Sequence, residues 1–194
     1  RNLNRKRTRM IGVVVPHLND IFQTSLINAI DAAAGHSDYK IIVQNSDNDP
    51  AREVAAIEAL RSMNADGILI APLGLASGAG VLRRAGAHLP VVLIDSHADT
   101  EVGGFDFVGN DNQHSIGLVV DYLVRSGRDP VFLPMPPVNM NAVERTQAYR
   151  AAMARHNRPA EVLTGAATGP HWDFERHGHA VMSAEFAASR HTQS

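Results

Sequence analysis

Asn19, Asp20, Asn45, Asp47, Asp95, Asp111, Asn139, Asn141 and Arg145 bring carboxylate, amide and guanidinium groups, and Phe22 and Trp172 add aromatic faces. Carboxylates and amides form paired hydrogen bonds with neighbouring hydroxyls, while aromatic rings stack on the apolar faces of other rings. The set therefore suits a pocket for a small polar ligand of the sugar or nucleoside class. Each residue also has a structural reading. Asp95 at a strand end can cap a turn, and Asp111 can be the N-cap of a helix over 115–125. Arg145 near a helix start opposes the macrodipole, so an anionic or strongly polar group must compensate it. Trp172, the only tryptophan, lies in the polar loop Gly169-Pro170-His171-Trp172-Asp173, where a core role and a ligand-facing role both remain open.

Catalytic patterns are weaker. Gly74, Gly78 and Gly80 approach a dinucleotide turn, but they follow the third strand rather than opening the first strand–helix unit, with no acidic ribose partner at the expected distance. No phosphate-binding Walker loop and no Gly-x-Ser-x-Gly elbow occurs. The ten histidines, His171, His177 and His179 among them, include no i, i+4 pair with the glutamate of a helical zinc site, and most read as solvated. Asp47 and Asp49 are a carboxylate pair without a geometry for acid–base work. The expectation is a chain with no catalytic residue, no cofactor and no metal, which is not an enzyme. A nucleotide-dependent enzyme using the Gly74–Gly80 turn stays as a lesser reading.

The elements that position these groups follow from apolar periodicity. Met10–Val15 is a β-branched run closed by Pro16, and Phe22, Leu26, Ile30 and Ala33 then fall on one helical stripe. The unit repeats as strand 39–44, helix 51–63 with Val54, Ile57 and Leu60 inward, strand 67–71, helix 79–84 and strand 91–94. Asp49-Pro50 supplies an N-cap followed by proline at the first helical position. Strand 105–108 precedes a helix faced by Ile116, Val119 and Leu123 and ended by Gly127. Strand 131–133, helix 143–156, strand 161–163 and helix 174–188 complete the pattern. Alternating apolar strands and helices predict an α/β fold with a parallel sheet covered on both faces. In such sheets ligands sit beyond the carboxyl ends of the strands, and those loops hold the polar residues named above.

The chain has 194 residues, 44% hydrophobic and 20% charged, enough to bury a core in one domain or two small lobes. No apolar run reaches the length of a membrane span, so no membrane partner is expected. The absence of cysteine excludes a disulfide scaffold and thiol catalysis and agrees with a reducing, cytoplasmic setting. The net charge of −2 hides Arg1, Arg5, Lys6, Arg7 and Arg9 in the first ten positions, against thirteen basic and twenty acidic residues in the remainder. On charge alone this leader reads as a solvated tail or as an arm beside a polyanion.

Several motifs in order resemble the effector-binding core of the lactose/galactose repressor family of bacterial transcription regulators. Arg7–Pro16 is similar to the family's passage from its DNA-binding linker into the first strand. Asp20-Ile21-Phe22-Gln23 stands in place of the usual Asn-Pro-Phe-Phe. Asn45-Ser46-Asp47, Ala65-Asp66-Gly67, Pro90–Asp95 and Val108–Asn112 are close to family wording, and Glu144-Arg145 with Ala148-Tyr149 resembles its Arg-Glu-Arg-x-x-Gly-Tyr segment. The departures are Asp20-Ile21 for Asn-Pro, Gln23 for the second Phe and Ala148 for Gly.

The resemblance implies a periplasmic-binding-protein-like architecture of two Rossmann-like lobes with effector held between them, and contacts from Asp20, Phe22, Asp95, Asp111, Arg145 and Trp172. It implies a homodimer whose operator DNA is read by an N-terminal headpiece absent from this sequence. The expected organisation is a basic linker remnant over 1–9, a first lobe over 10–128 and the beginning of a second lobe over 129–194. The alternative is a periplasmic sugar-binding protein of a transporter, because the same lobes serve both.

Overall fold

The computed structural model describes residues 7–73, 79–98, 104–135, 139–163 and 174–191. They divide into two compact units, 1–109 and 110–194.

The first unit carries strands β1 (Met10–Val15), β2 (Lys40–Asn45), β3 (Gly67–Ile70), β4 (Val91–Asp95) and β5 (Asp106–Gly109), with helices α1 (Ile21–Gly35), α2 (Pro50–Ser62) and α3 (Ala79–Gly86) between them. The strands form one sheet in the order β2-β1-β3-β4-β5, and every pairing is parallel. The α/β expectation holds for this unit.

Alternation along each strand feeds two cores. Val14 of β1, Ile68 and Ile70 of β3 and Val91 and Leu93 of β4 pack with Ile57 and Leu60 of α2 and Val81, Leu82 and Ala85 of α3. Val13 and Val15 face the other side, where Leu26, Ile27 and Ile30 of α1 cover them together with Ile41, Val43 and Leu69. A period of two in the strands thus gives each face its own helices. Helix α2 packs tightly on the sheet at Gly12, where an added Cβ would overlap Leu60 Cδ1. Gly12→Ala is expected to lower stability by about 1–2 kcal/mol in chemical denaturation, because the fully buried Leu60 has little room to give.

Two helix phases differ from the sequence reading. In α1 the buried residues are Gln23 and Ala34, while Phe22 is 46% exposed and Ala33 is exposed. Leu26 and Ile27 are consecutive apolar residues, so the pattern accommodates two phases about 100° apart, and contact with the sheet selects the second. In the helix of the second unit, α4 (Asn112–Arg125), the inward residues are Gly117 and Val120 with Ile116 and Val124, and Val119 is exposed.

The second unit packs α4 on α5 (Met140–Arg155) around Val120, Tyr149, Ala152 and Met153. A Cβ at Gly117 would lie 3.1 Å from Arg155 Nη2, so a small residue permits this helix contact. The sequence reading carried the first lobe to 128; this packing groups α4 with the second unit. The Tyr149 hydroxyl donates to Pro130 O at 2.8 Å and its ring stacks on Phe132 at 5.0 Å. The strands expected at 131–133 and 161–163 reduce to one parallel bridge, Phe132 with Val162. Among the described residues that single pairing is no extended ladder, so neither segment counts as a strand. Helix α6 (Phe174–His191) follows, with Val181 buried. Its His177 is half-buried with Nε2 3.1 Å from Pro134 O, rather than solvated as the sequence suggested. No helix among the described residues is long and apolar enough to cross a membrane.

Candidate ligand site

In the order β2-β1-β3-β4-β5 the direction of winding reverses between β1 and β3. A crevice opens beyond the carboxyl ends of the strands at such a reversal, because the flanking loops leave in opposite directions. The loop after β1 is anchored to the loop after β2 by backbone bonds: Ser46 N donates to Val15 O at 2.9 Å and Asn48 N to Pro16 O at 3.0 Å. His17 lies 3.5 Å from Asn48 Nδ2 through Nδ1 and 3.5 Å from Asp20 Oδ2 through Nε2. Asp20 caps α1, its Oδ1 accepting Phe22 N at 2.8 Å. Phe22 follows in the first turn with its ring half in solvent.

Beyond β3, Leu73 N donates to Glu53 Oε2 at 2.8 Å. Glu53 is 1% exposed on the first turn of α2. Burial pushes its carboxyl above the ordinary value, and the Leu73 N–H partly opposes that. No charge pattern in the sequence marks Glu53, which sits one residue before Val54 of the expected stripe. Its role became visible only when α2 was laid against the loop after β3. The Gly74–Gly80 turn falls mainly on residues outside those described.

At the end of β4, Asp95 adopts φ 64°, a left-handed conformation that non-glycine residues rarely take. Gln23 Nε2 donates to its Oδ2 at 3.3 Å. Next to it His97 stacks on Phe107 with ring centroids 3.5 Å apart. The unit thus brings Asp20, Phe22 and Asp95 to the carboxyl end of one sheet, at the N-cap and first turn of α1 and the last residue of β4. Asp47 and Asp49 are occupied structurally. Asp47 pairs with Arg52 at 2.7 Å, and Asp49 caps α2 through Ala51 N at 2.7 Å.

In the second unit Asp111 is the N-cap of α4, accepting His114 N at 2.8 Å, so its structural reading is correct. The compensation that Arg145 requires is supplied by a buried amide. Arg145 Nε donates to Asn112 Oδ1 at 2.8 Å, while Asn112 Nδ2 donates to Asn141 Oδ1 at 2.9 Å and Glu144 Oε2 at 2.7 Å. Asn112 and Asn141 are 4% and 6% exposed. This network joins the first turns of α4 and α5 and holds the Arg145 guanidinium through its Nε. Trp172 lies outside the described residues. Among the described residues no group of three His, Asp or Glu side chains could hold a metal ion.

The basic leader ends at the opposite end of the sheet. Asp66 accepts Thr8 N at 3.2 Å and Arg9 N at 2.8 Å, and Arg9 pairs with Asp38 at 3.0 Å. Residues 7–9 are thereby fixed beside the amino ends of β1, β2 and β3, a strand length from the candidate site.

A family model described as the periplasmic binding protein domain matches residues 11–191. The chain belongs to that family. The periplasmic binding protein domain is shared by transporter components and regulators, and this chain is of the lactose/galactose repressor type that its motifs indicated. It is 32% identical over 165 residues to the HTH-type transcriptional regulator PtxS of Pseudomonas aeruginosa, covering 82% of this chain and 46% of that protein. The chain spans about half the length of the curated relatives it matches. A probable LacI family transcriptional regulator from Corynebacterium glutamicum superposes with a TM-score of 0.71 at 26% identity, over 78% of this chain and 58% of that one. The Caulobacter myo-inositol binding protein gives a TM-score of 0.72 at 17% identity, over 81% and 55%, and shows the shared fold.

Proposed function

We propose that this chain is the effector-binding and dimerisation core of a bacterial DNA-binding transcriptional regulator, cytoplasmic and without enzymatic activity. It takes a small polar effector of the sugar or nucleoside class. The observation that carries the ligand reading is the convergence of Asp20, Phe22 and Asp95 at the carboxyl end of the sheet beside its winding reversal. The regulator reading rests on its relatives and on Thr8 and Arg9, held at the amino end of that sheet, where a basic linker would lead toward DNA.

In this reading Phe22 stacks on the effector, Asp20 and Asp95 accept from its hydroxyls or ring N–H groups, and Asp111 and Arg145 add further hydrogen bonds. Trp172 is a further contact. The first unit corresponds to a first lobe and the second unit belongs to a second lobe. Effector binding changes operator affinity only as far as the effector prefers one conformation of the regulator over the other.

Titration calorimetry of the complete protein against a panel of sugars and nucleosides tests this. We expect one class to bind, and Asp95→Ala and Arg145→Ala each to weaken it by about tenfold or more, the loss of a charge-assisted hydrogen bond. Full affinity in both variants would remove these residues from the site. Operator fragments should bind differently with and without the effector in a gel-shift measurement. A periplasmic sugar-binding protein remains the second reading, favoured by the fold shared with the myo-inositol binding protein. A signal peptide in the upstream reading frame would establish it, and a helix-turn-helix there would establish the regulator.

A further inference from the structure

Gln23 is the one buried polar side chain of α1, 3% exposed on the face that Leu26, Ile27, Ile30 and Ala34 turn to the sheet. Its Oε1 is enclosed and meets no donor among the described residues. An enclosed acceptor without a donor costs stability relative to an apolar side chain of the same size. The amide does one other thing: Nε2 reaches across from α1 to Asp95 Oδ2 at 3.3 Å. Asp95 is itself held in a left-handed conformation at the carboxyl end of β4, so its backbone is set in a geometry that free chains avoid.

We propose that Gln23 is a positioning residue, which holds the Asp95 carboxylate from inside the first unit in the orientation that receives the effector's hydroxyl or N–H donors. The proposal rests on the reading above that Asp95 contacts the effector. Gln23 does not touch the ligand, since its side chain is 3% exposed. It restricts the carboxylate to one rotamer before the ligand arrives, so less ordering is left to do on binding. A donor at this place also favours a ligand that offers hydrogens to a carboxylate, as polyols and ring N–H groups do, over one that presents only acceptors.

The test is Gln23→Met in the complete protein, which keeps the length of the side chain and removes both polar atoms. Without ligand, the melting temperature should rise by about 2–4 °C as the orphaned acceptor disappears. Affinity for whichever neutral pentose, hexose, cyclic polyol or nucleoside binds the wild type should fall about tenfold. In a crystal structure of the variant, the Asp95 carboxylate should leave its wild-type orientation. A role confined to packing would lower melting temperature and affinity together, and that result overturns the proposal. So does a carboxylate that stays in place. If no sugar or nucleoside binds the wild type, the effector reading of the previous section fails, while the Asp95 orientation and the melting temperature still decide the role of Gln23.

Discussion

Asn112→Ala is expected to lower the unfolding free energy by about 2–4 kcal/mol, read by denaturant titration. One side chain here serves three partners, Asn141, Glu144 and Arg145, and all three bonds run between the first turn of α4 and the first turns of α5. Removing it leaves the buried Asn141 amide short of a donor and releases Arg145 Nε near the amino end of a helix, where a positive charge is unfavourable. Asn112→Asp separates the two halves of the network. The new carboxylate should keep the bond from Arg145 but lose both donated bonds and face Glu144, so stability should fall by about 1–3 kcal/mol, and the loss should shrink as pH drops and a carboxyl is protonated. A variant as stable as the wild type in both cases would show that the α4–α5 contact rests on Val120, Tyr149 and Met153 alone.

Glu53→Ala is expected to cost about 2–4 kcal/mol as well, by a different route. It strands the buried Leu73 N–H and opens a void beside Ile57 and Leu60. Glu53→Gln keeps an acceptor for Leu73 N–H and removes the ionisable group. Burial raises the Glu53 carboxyl above its ordinary value of 4.5 in the folded protein, so the fold binds this proton more tightly than the unfolded chain. The stabilisation linked to it is fully present below about pH 4.5 and is lost as pH rises through the folded value. Relative to the wild type, Glu53→Gln should therefore gain stability as pH is raised from 4 to 8. A constant difference across that range would rule out the linkage. Because Leu73 leads into the loop beyond β3 at the winding reversal, Glu53→Ala should also weaken effector binding, which calorimetry reads.

The strand and helix order of the first unit was legible before any coordinates. Continuous β-branched runs such as Met10–Val15 and Val91–Ile94 have one physical solution, a strand buried on both faces, and Asp49-Pro50 marks a helix start by an acceptor and a missing donor. Asp111 as a cap was equally local. The second unit was less legible. Segments 131–133 and 161–163 look like strands by composition, yet a strand exists only through its partners, and these two share one bridge.

The candidate site divides in the same way. That carboxylates and amides cluster in loops following strands, and that Arg145 needs a compensating group, are properties of residue type and position along the chain. Which group compensates it is not: Asn112 lies thirty-three residues away and carries no charge. Gln23 and Glu53 were hidden for a related reason. One occupies a helix phase that neighbouring Leu26 and Ile27 leave ambiguous, and the other is a lone acid beside an apolar stripe, which ordinarily faces water. Sequence by itself determined the α/β class and the parallel winding, and it put the polar residues on the loops that follow the strands, because these follow from side-chain periodicity and short-range backbone chemistry. Only the tertiary structure decided the strand order, the facing of α1 and α4 and the buried bonds to Asp95, Leu73 and Arg145, because each depends on groups far apart in the chain competing for the same enclosed space.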